Sequence, residues 1–342
     1  MPYDVPDAKR KCLIFRVTLI RGMMYVMLGG DLTMEFYDGP TWTIECKEGE
    51  YVFDNEETAK WFQECRSVFN MKLGSTPRDD GNFFMTEAER DELLKREPAL
   101  KKFIRQCYGS KEFIRGIKRY CFWLVDASPA DIRKSKILYE RVSKVKEFRL
   151  KSEREGTKKL AESPHIFAEI RQPKTNYLIF PSVSSHRRQY VPIGYVSSDV
   201  IVTNLAFALE HATPYHFGIL TSRTHMGWMR RVAGRLGVSY RYSNTIVHNC
   251  FAWPESNPYQ VARIESAAKK ILNARAKYPD SSLADLYDEL TMPKELRDAH
   301  RENDVAVCEA YGLPADISES DMVMHMFRLY YAATGQEWPE EF

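Results

Sequence analysis

No stretch of this sequence is apolar for long enough to cross a membrane. A spanning helix requires roughly 20 consecutive apolar residues, and the hydrophobic runs here are interrupted by charged residues well before that length. The N-terminus is charged from its first residues, unlike a secretory signal peptide. We therefore expect a cytoplasmic protein without a membrane partner.

Cysteine is present, but not in an arrangement that binds metal or builds a disulfide framework. The seven cysteines are scattered, with no Cys-x-x-Cys pair and no clustered histidine partner. This spacing argues against a zinc site, and we expect free thiols in a reducing compartment. Internal repeats and low-complexity tracts are also missing, which argues against a repeat architecture.

A strong excess of charge of either sign is missing as well, since the formal net charge of the 342 residues is only +2. Any affinity for nucleic acid must therefore come from a local concentration of positive charge. Acidic residues crowd the two ends of the chain, whereas arginine gathers in the middle. With 44% hydrophobic and 13% aromatic residues, the chain has enough apolar side chains to fill packed cores.

Length and patterning predict an α+β protein of two or three domains, because a single core rarely grows beyond roughly 250 residues. β-prone runs and a helical pattern from Asn55 occupy the N-terminal part, and stop signals divide an all-helical tail. The predicted segments are a small α+β unit at 1–70, a linker and helical spacer at 71–109, a mixed α/β domain at 110–254 and a helical domain at 255–342.

Local signals also predict individual helices and strands. Thr86 followed by Glu89 is typical of a capping box and predicts a helix through Lys95. Apolar residues at the 3.6-residue period predict a single helix over 216–235. The other expected helices are 99–107, a long charged helix at 130–159 that is interrupted near Gly156, and 260–277, 283–290, 294–311 and 319–334. The strands expected in the middle of the chain are 177–180, 190–194 and 200–202.

The stretch from Pro181 to Pro254 combines arginine with aromatic and amide side chains, while acidic side chains are almost absent from it. Such a mixture suits a surface that holds phosphates and reads base edges. Arg241, between two tyrosines, is the candidate base reader because a guanidinium can bind guanine O6 and N7 together. The alternative for Arg241 is an ion pair inside the domain.

Other polar residues of the middle region have two possible roles each. Arg187 and Arg188 follow a Ser-Ser turn and are either phosphate ligands or ordinary surface arginines. On a single helix, Arg231 and Arg235 would share a face and Arg230 would point away. A loop after Pro173 offers Lys174 and Asn176, which either touch a phosphate or close a turn.

Seven segments, in order, are specific enough to indicate a family. They are FIRGIKRYCFWLVDASP (113–129), EIRQPKTNYL (169–178), VSSHRR (183–188), YHFGILTS (215–222), GRL (234–236), YRYSNTIV (240–247) and YPDSSLADLYD (278–288). From about Gly74 to Tyr330 the chain resembles the C-terminal half of MmeI-like type IIL restriction-modification enzymes. These enzymes fuse nuclease, adenine-N6 methyltransferase and target-recognition parts in one polypeptide. Residues 1–70 match no part of that pattern.

This resemblance implies sequence-specific binding of double-stranded DNA in a phage-defence system. It assigns 110–254 to a target-recognition domain and 255–342 to the helical domain beside it. In the family the residues before Tyr-Arg-Tyr-Ser are often long or charged base readers, whereas Gly237, Val238 and Ser239 stand here, so the base sequence that is read stays open. The candidate DNA-binding residues are Lys174, Asn176, Ser185, Arg187, Arg188, Arg223, Arg231, Arg235, Gly237, Ser239, Arg241, Tyr242 and Asn244.

The motifs of an adenine-N6 methyltransferase are missing. Such an enzyme needs a glycine-rich loop for S-adenosylmethionine and an Asn-Pro-Pro-Tyr-like tetrapeptide for the flipped base. The nearest strings, at 28–31 and 257–259, read better as a turn and as a helix start. We therefore predict that this chain binds no cofactor and does not transfer methyl groups alone. S-adenosylmethionine is expected only in a partner methyltransferase, and a separate methyltransferase or nuclease chain is the candidate protein partner.

Two alternatives stay open at this point. Asp38, Glu45 and Lys47 have the order of an Asp…Glu-x-Lys site, in which carboxylates hold Mg²⁺ and the lysine supports the attacking water. The chain would then be a Mg²⁺-dependent nuclease, unless these residues are only the solvated edge of a small sheet. The other alternative is an antirestriction or decoy protein that docks on a full-length methyltransferase through its helical tail.

Overall fold

The computed structural model of the chain describes residues 71–334 and, before them, only the backbone of four short strands. β1 (Leu19–Ile20) pairs with β2 (Met23–Met24), and β3 (Trp42–Cys46) pairs with β4 (Gly49–Phe53). Both pairs are antiparallel and agree with the β-prone runs of the N-terminal part. The helix expected from Asn55 lies outside the described residues.

Short strands and helices alternate through the rest of the described chain. Residues 71–162 contain β5 (Lys72–Leu73), β6 (Phe84–Thr86), α1 (Glu87–Arg96), a 3₁₀ helix (Pro98–Phe103), β7 (Ile104–Tyr108), α2 (Ser110–Arg115), β8 (Arg119–Phe122), α3 (Pro129–Lys134), α4 (Lys136–Leu150), α5 (Glu155–Lys159) and a second 3₁₀ helix (Leu160–Glu162). Residues 177–248 contain β9 (Tyr177–Pro181), β10 (Val183–Ser184), β11 (Gly194–Val196), β12 (Ile201–Val202), β13 (Ala206–Glu210), α6 (Pro214–Leu220), α7 (Arg223–Val232), β14 (Gly234–Leu236), β15 (Ser239–Arg241) and a π-helical turn (Asn244–His248). The C-terminal helices are α8 (Pro258–Ala276), α9 (Leu283–Leu286), α10 (Lys294–Ala310) and α11 (Glu319–Thr334).

A four-stranded sheet in the order β12-β7-β8-β6 organises the first part. β12 is parallel to β7, and the other neighbours are antiparallel. Phe83, Phe122 and Leu138 are fully buried in its core. At the start of α1 the Thr86 hydroxyl accepts a hydrogen bond from the backbone N–H of Glu89, so the predicted capping box is confirmed.

The second sheet, in the order β11-β9-β13-β5, is antiparallel and has its central strand buried on both faces. Leu178 and Phe180 belong to the largest core, which continues into the C-terminal helices, whereas Tyr177 and Ile179 belong to a smaller cluster. Successive strand residues point to opposite faces. β9 is therefore apolar along its whole length because both faces of the strand are buried in a hydrophobic cluster.

The C-terminal helices pack directly on the strands and helices before them. Gly218 on α6 permits a close approach, because a Cβ there would lie 2.6 Å from Ile264 of α8 and 2.8 Å from the Asn303 side-chain oxygen of α10. The Asn303 amide nitrogen donates to the Gly218 carbonyl at 2.8 Å. The bounds of α8, α10 and α11 follow the sequence signals closely, whereas α9 ends at Leu286 and not at the predicted residue 290. The described residues confirm the α+β class.

The single helix predicted over 216–235 is wrong. The chain forms α6, a break at 221–222, α7 and then β14. Ser222 caps α7, since its side chain accepts a hydrogen bond from the backbone N–H of His225. Both helices bury apolar residues in one core, so the 3.6-residue period continues across the break. Arg235 consequently lies on a strand and not one turn beyond Arg231.

Three other predicted elements also differ from the structure. The helix expected over 99–107 is a 3₁₀ helix followed by β7. The charged helix over 130–159, expected to be interrupted near Gly156, is divided into α3, α4 and α5, with breaks at 135 and 151–154. Ser135 causes the division between α3 and α4, because its side chain accepts a hydrogen bond from Leu138 N–H and starts a new helix. The strand expected at 190–194 begins only at Gly194. The domain boundaries stay predictions.

Candidate nucleic-acid interface

A three-stranded antiparallel sheet, in the order β10-β15-β14, brings separate parts of the predicted site together. Its register pairs Val183 with Arg241, and Tyr240 with both Ser184 and Arg235. Residues 185–188, which follow β10, therefore lie at the same end of the sheet as the turn between β14 and β15. The pairing unites two arginine-containing segments some fifty residues apart in sequence.

The β14–β15 hairpin is exposed and carries one arginine on each face. The Arg235 guanidinium carbon lies 3.9 Å from the ring centroid of Tyr240, a stacking geometry that orients a guanidinium. Arg241 is exposed and starts from the opposite face, because strand side chains alternate. Gly237 has φ +58° in the turn, a left-handed conformation that glycine adopts at little cost. Ser239, which pairs with Leu236, is partly buried.

The turn at 185–188 forms one wall of a cleft. Arg188 N–H donates to the Ser185 carbonyl at 3.2 Å, and Arg187 N–H donates to the Ser185 hydroxyl at 3.3 Å. The cleft has a volume of about 370 Å³. Its lining includes Arg187 and Arg188 from the turn, Arg230 from α7 and Arg297 from α10.

Arg188 is partly buried in this cleft, and its Nε has no hydrogen-bond partner within the described structure. Burial lowers the pKa of its guanidinium, the nearby Arg115 lowers it further, and Asp288 opposes both effects. A partly desolvated guanidinium with an unpaired N–H is stabilised by an anion. The position of Arg188 therefore suits contact with an anion.

Neighbouring arginines on α7 have different surroundings. Arg230 donates to the Glu319 carboxylate at 2.5 Å and to the Gln189 carbonyl at 3.2 Å, so its charge is already neutralised. Arg231 is exposed near the end of α7 and forms no ion pair with a described residue. Of the two, Arg231 is the one that solvent-borne phosphate can reach.

Three predicted residues make internal contacts. The Arg223 guanidinium donates to the Ala315 and Ile317 carbonyls. Tyr242 is buried, with its hydroxyl 3.0 Å from His225 Nε2. The Asn244 amide donates to the Met71 carbonyl at 3.1 Å. These side chains are held by internal hydrogen bonds, and the structure does not bring Tyr242 to the surface.

Lys174 and Asn176 lie away from the hairpin. They precede β9, whereas β10 follows the other end of that strand, and five strand residues span roughly 17 Å. The Asn176 side-chain oxygen accepts a hydrogen bond from Ser198 N–H at 3.3 Å. Both residues are exposed. They do not join the cluster formed by the hairpin and the 185–188 turn.

Sequence reasoning missed Arg297 and Arg115. Arg297 lies in the first turn of α10, and its Nη2 donates to the Glu289 carbonyl at 3.1 Å, which fixes its direction. Nothing in the local sequence distinguishes either residue from an ordinary helical arginine. Only the folded chain reveals them, because Arg297 lines the cleft with the 185–188 turn and Arg115 of α2 lies near Arg188.

The candidate nuclease residues lie outside the described side chains. Asp38 and Lys47 lie outside the described residues, and of Glu45 only the backbone of β3 is described. Among the residues that were searched, no group of three or more histidine, cysteine or acidic side chains is placed to hold a metal ion. Within the same part of the chain, none of the helices combines the length and apolar character of a membrane span.

Comparison with known proteins yields two matching families. The model of the MmeI target recognition domain matches residues 57–255, and the model of the MmeI C-terminal domain matches residues 256–336. These matches adjoin and together include both the hairpin and the helices behind the cleft.

Two known proteins are similar to most of this chain over part of their own length. DNA methyltransferase A of Bacillus subtilis (strain 168) is 36% identical over 264 residues, which are 77% of this chain and 30% of that protein. A solved structure of the type IIL restriction-modification enzyme MmeI in complex with DNA matches with a TM-score of 0.76 and 42% identity. That match covers 78% of this chain and 36% of the enzyme. The chain thus spans about a third of the length of these relatives, and it belongs to the MmeI family, of which it carries the target recognition and C-terminal domains.

Proposed function

We propose that the chain binds double-stranded DNA and reads its sequence as the recognition portion of a type IIL restriction-modification system. One observation carries the proposal: the sheet register that sets the arginines of the β14–β15 hairpin beside those of the 185–188 turn. Membership of a target recognition family and the relative solved in complex with DNA support it.

The surroundings of each arginine indicate whether it contacts a base or a phosphate. The major groove admits a two-stranded ribbon, and a guanidinium that reaches a base edge can bind guanine in bidentate fashion. Arg241 is exposed on β15, the central strand of the three-stranded sheet, and forms no ion pair with a described residue, so it is the base reader. Arg187, Arg188 and Arg231 contact phosphates and set the salt dependence.

Catalysis would come from elsewhere in the assembly. We infer that methyl transfer requires a segment or partner chain that binds S-adenosylmethionine and holds the flipped adenine, since residues 1–342 lack both motifs. This chain would then deliver specificity to a cytoplasmic phage-defence system.

Selection from a library of random duplexes, followed by sequencing of the bound fraction, tests sequence reading. The wild-type chain should enrich one site. Arg241→Ala should relax the preference at one base pair, with about 1–3 kcal/mol of discrimination lost. Arg188→Ala should weaken binding to all sequences alike. It should also reduce the slope of log K against log salt by about 0.9, the value for one phosphate contact.

Two results would count against the proposal. If no site is enriched, the chain does not read DNA sequence. If the affinity does not depend on salt, the arginines do not contact phosphates. Equal loss of affinity for all duplexes in Arg241→Ala would reassign that residue from base to phosphate.

A further inference from the structure

The cleft beside the 185–188 turn is built from two regions that are distant in sequence. One wall comes from the target recognition domain, including Arg187 and Arg188, and the other comes from the C-terminal helices, including Arg297. A water molecule occupies about 30 Å³, so a cleft of about 370 Å³ has room for a phosphate and its flanking sugars.

The two tyrosines that line the cleft, and Arg230, are already engaged internally. The Tyr190 hydroxyl donates to Asp304 at 2.6 Å, and the Tyr287 hydroxyl accepts from Arg275 Nε at 2.7 Å. Arg230 is neutralised by Glu319. Among the cationic groups of the cleft, Arg188 still requires a partner, because its Nε is buried and forms no hydrogen bond within the described structure.

Positive charge exceeds negative charge around the cleft. Arg187, Arg188 and Arg297 form no ion pair with a described carboxylate. Arg115 adds a further cation near Arg188. The opposing groups are Glu289, which lines the cleft, and Asp288, which acts on Arg188. A partly buried guanidinium has little contact with water. An anion with several acceptor oxygens would stabilise it more than water does.

We propose that Arg187, Arg188 and Arg297 together bind one backbone phosphate of the duplex, so that the C-terminal helical domain contributes directly to DNA binding. This inference rests on the proposed function and deepens it by naming a ligand on α10. The phosphate joins the two domains across the cleft, adjacent to the hairpin that enters the groove.

The test uses two variants of the same helix in the full chain. Arg297→Gln removes the proposed ligand. Arg301→Gln, one turn further along α10, removes the same charge from an exposed arginine that is paired with Asp298. The probe is a pool of short duplexes of random sequence, because phosphate contacts are independent of sequence. Affinity is measured over a range of salt concentrations, and thermal unfolding confirms that each variant is folded.

Arg297→Gln should weaken binding about tenfold and lower the slope of log K against log salt by about 0.9. Arg301→Gln should leave the slope at the wild-type value. Glu289→Gln provides an independent change of opposite sign, since removal of a carboxylate from the cleft should strengthen binding.

Different failures separate this inference from the proposed function. If the wild-type chain binds duplexes and the two arginine variants behave alike, the cleft assignment is overturned while DNA binding stands. If the wild-type chain binds no duplex, both are overturned. If inorganic phosphate raises the unfolding temperature through Arg297 but duplex affinity does not depend on that residue, the site binds a free anion and the inference is again overturned.

Discussion

Arg149 is a fully buried charge held by backbone carbonyls. Its guanidinium donates to the carbonyls of Pro77, Arg78, Leu160, Ser163 and Ile166, at 2.8 to 3.0 Å. Burial lowers its pKa, but the fork of five N–H donors matches five acceptors. Arg149 thereby ties the loop at 77–78 to the segment 160–166.

Arg149→Lys should lower the free energy of unfolding by about 3 kcal/mol, because an ammonium has only three donors and leaves buried carbonyls unpaired. Denaturant unfolding measures the loss. Arg154→Lys, at an exposed position, is the matched control and should change stability by less than about 0.5 kcal/mol. Equal effects of the two variants would contradict the assigned role.

Gly218→Ala should destabilise the protein by about 1–3 kcal/mol, since the new Cβ would overlap Ile264 and Asn303 at 2.6 and 2.8 Å. Gly156→Ala is the control: the glycine lies in α5 with nothing within 4 Å of the added Cβ. That change should stabilise by about 0.5–1 kcal/mol, because alanine favours a helix. Thermal unfolding of both variants gives the comparison, and a neutral Gly218→Ala would show that α8 can move away.

At the scale of elements, Asp304 joins α10 to α7. Its two carboxylate oxygens accept hydrogen bonds from the Tyr190 hydroxyl at 2.6 Å and from Arg223 N–H at 2.7 Å. The second bond lies at the start of α7, where a carboxylate satisfies an otherwise unpaired backbone donor. Burial nevertheless raises the pKa of Asp304 to about 6.

Asp304 should therefore make stability depend on pH. The pKa of Asp304 in the folded protein, about 6, exceeds the ordinary value of 3.8. The contribution of Asp304 to the free energy of unfolding is therefore present in full below pH 3.8 and is lost as pH rises through about 6. The difference is on the order of 3 kcal/mol. Denaturant unfolding of wild type and Asp304→Asn from pH 4 to 7 should show the variant gaining relative stability with pH, and a constant difference would contradict the shift.

The buried histidines change the free energy of unfolding with pH in the opposite direction. The experiment therefore compares the wild type with Asp304→Asn at each pH. Burial and the neighbouring His248 lower the pKa of His216 to about 4 and that of His225 to about 3. Their contribution is present above the ordinary value of 6.5 and is lost as pH falls through the folded values. Both chains share this term, so it cancels in the comparison.

At the scale of the whole molecule, one hydrophobic core spans both matched domains. Phe180 of β9, Trp228 of α7, Ile264 of α8 and Leu296 of α10 belong to the same cluster of buried residues. The recognition hairpin is thus supported from behind by the C-terminal helices. Separate folding of the two parts would leave this apolar surface in water.

Truncation of the chain at residue 255 should therefore remove cooperative unfolding of the recognition domain. We expect the 1–255 fragment to bind a hydrophobic dye and to lose its near-ultraviolet circular dichroism, as a chain with an exposed core does. The full chain measured under identical conditions is the control. A cooperative thermal transition in the fragment would show that the recognition domain folds without the helices.

The sequence by itself determined the elements whose signals are local. Helix caps such as Thr86 and Ser318 act within four residues, so the bounds of α1 and α11 were predictable. The seven family segments also depend on sequence alone, and they indicated the family that the comparisons confirm. The break at Ser222 escaped prediction because the helices on both sides bury residues in one core.

Only the tertiary structure decided how the arginines are used. Sequence cannot tell Arg223, bound to carbonyls of a distant loop, from Arg188, which keeps an unpaired Nε in a cleft. The pairing of β10 with β15 and the approach of α10 to the 185–188 turn are contacts between segments far apart in the chain. The partner of a charged side chain depends on those contacts, because its neighbours in space differ from its neighbours in sequence.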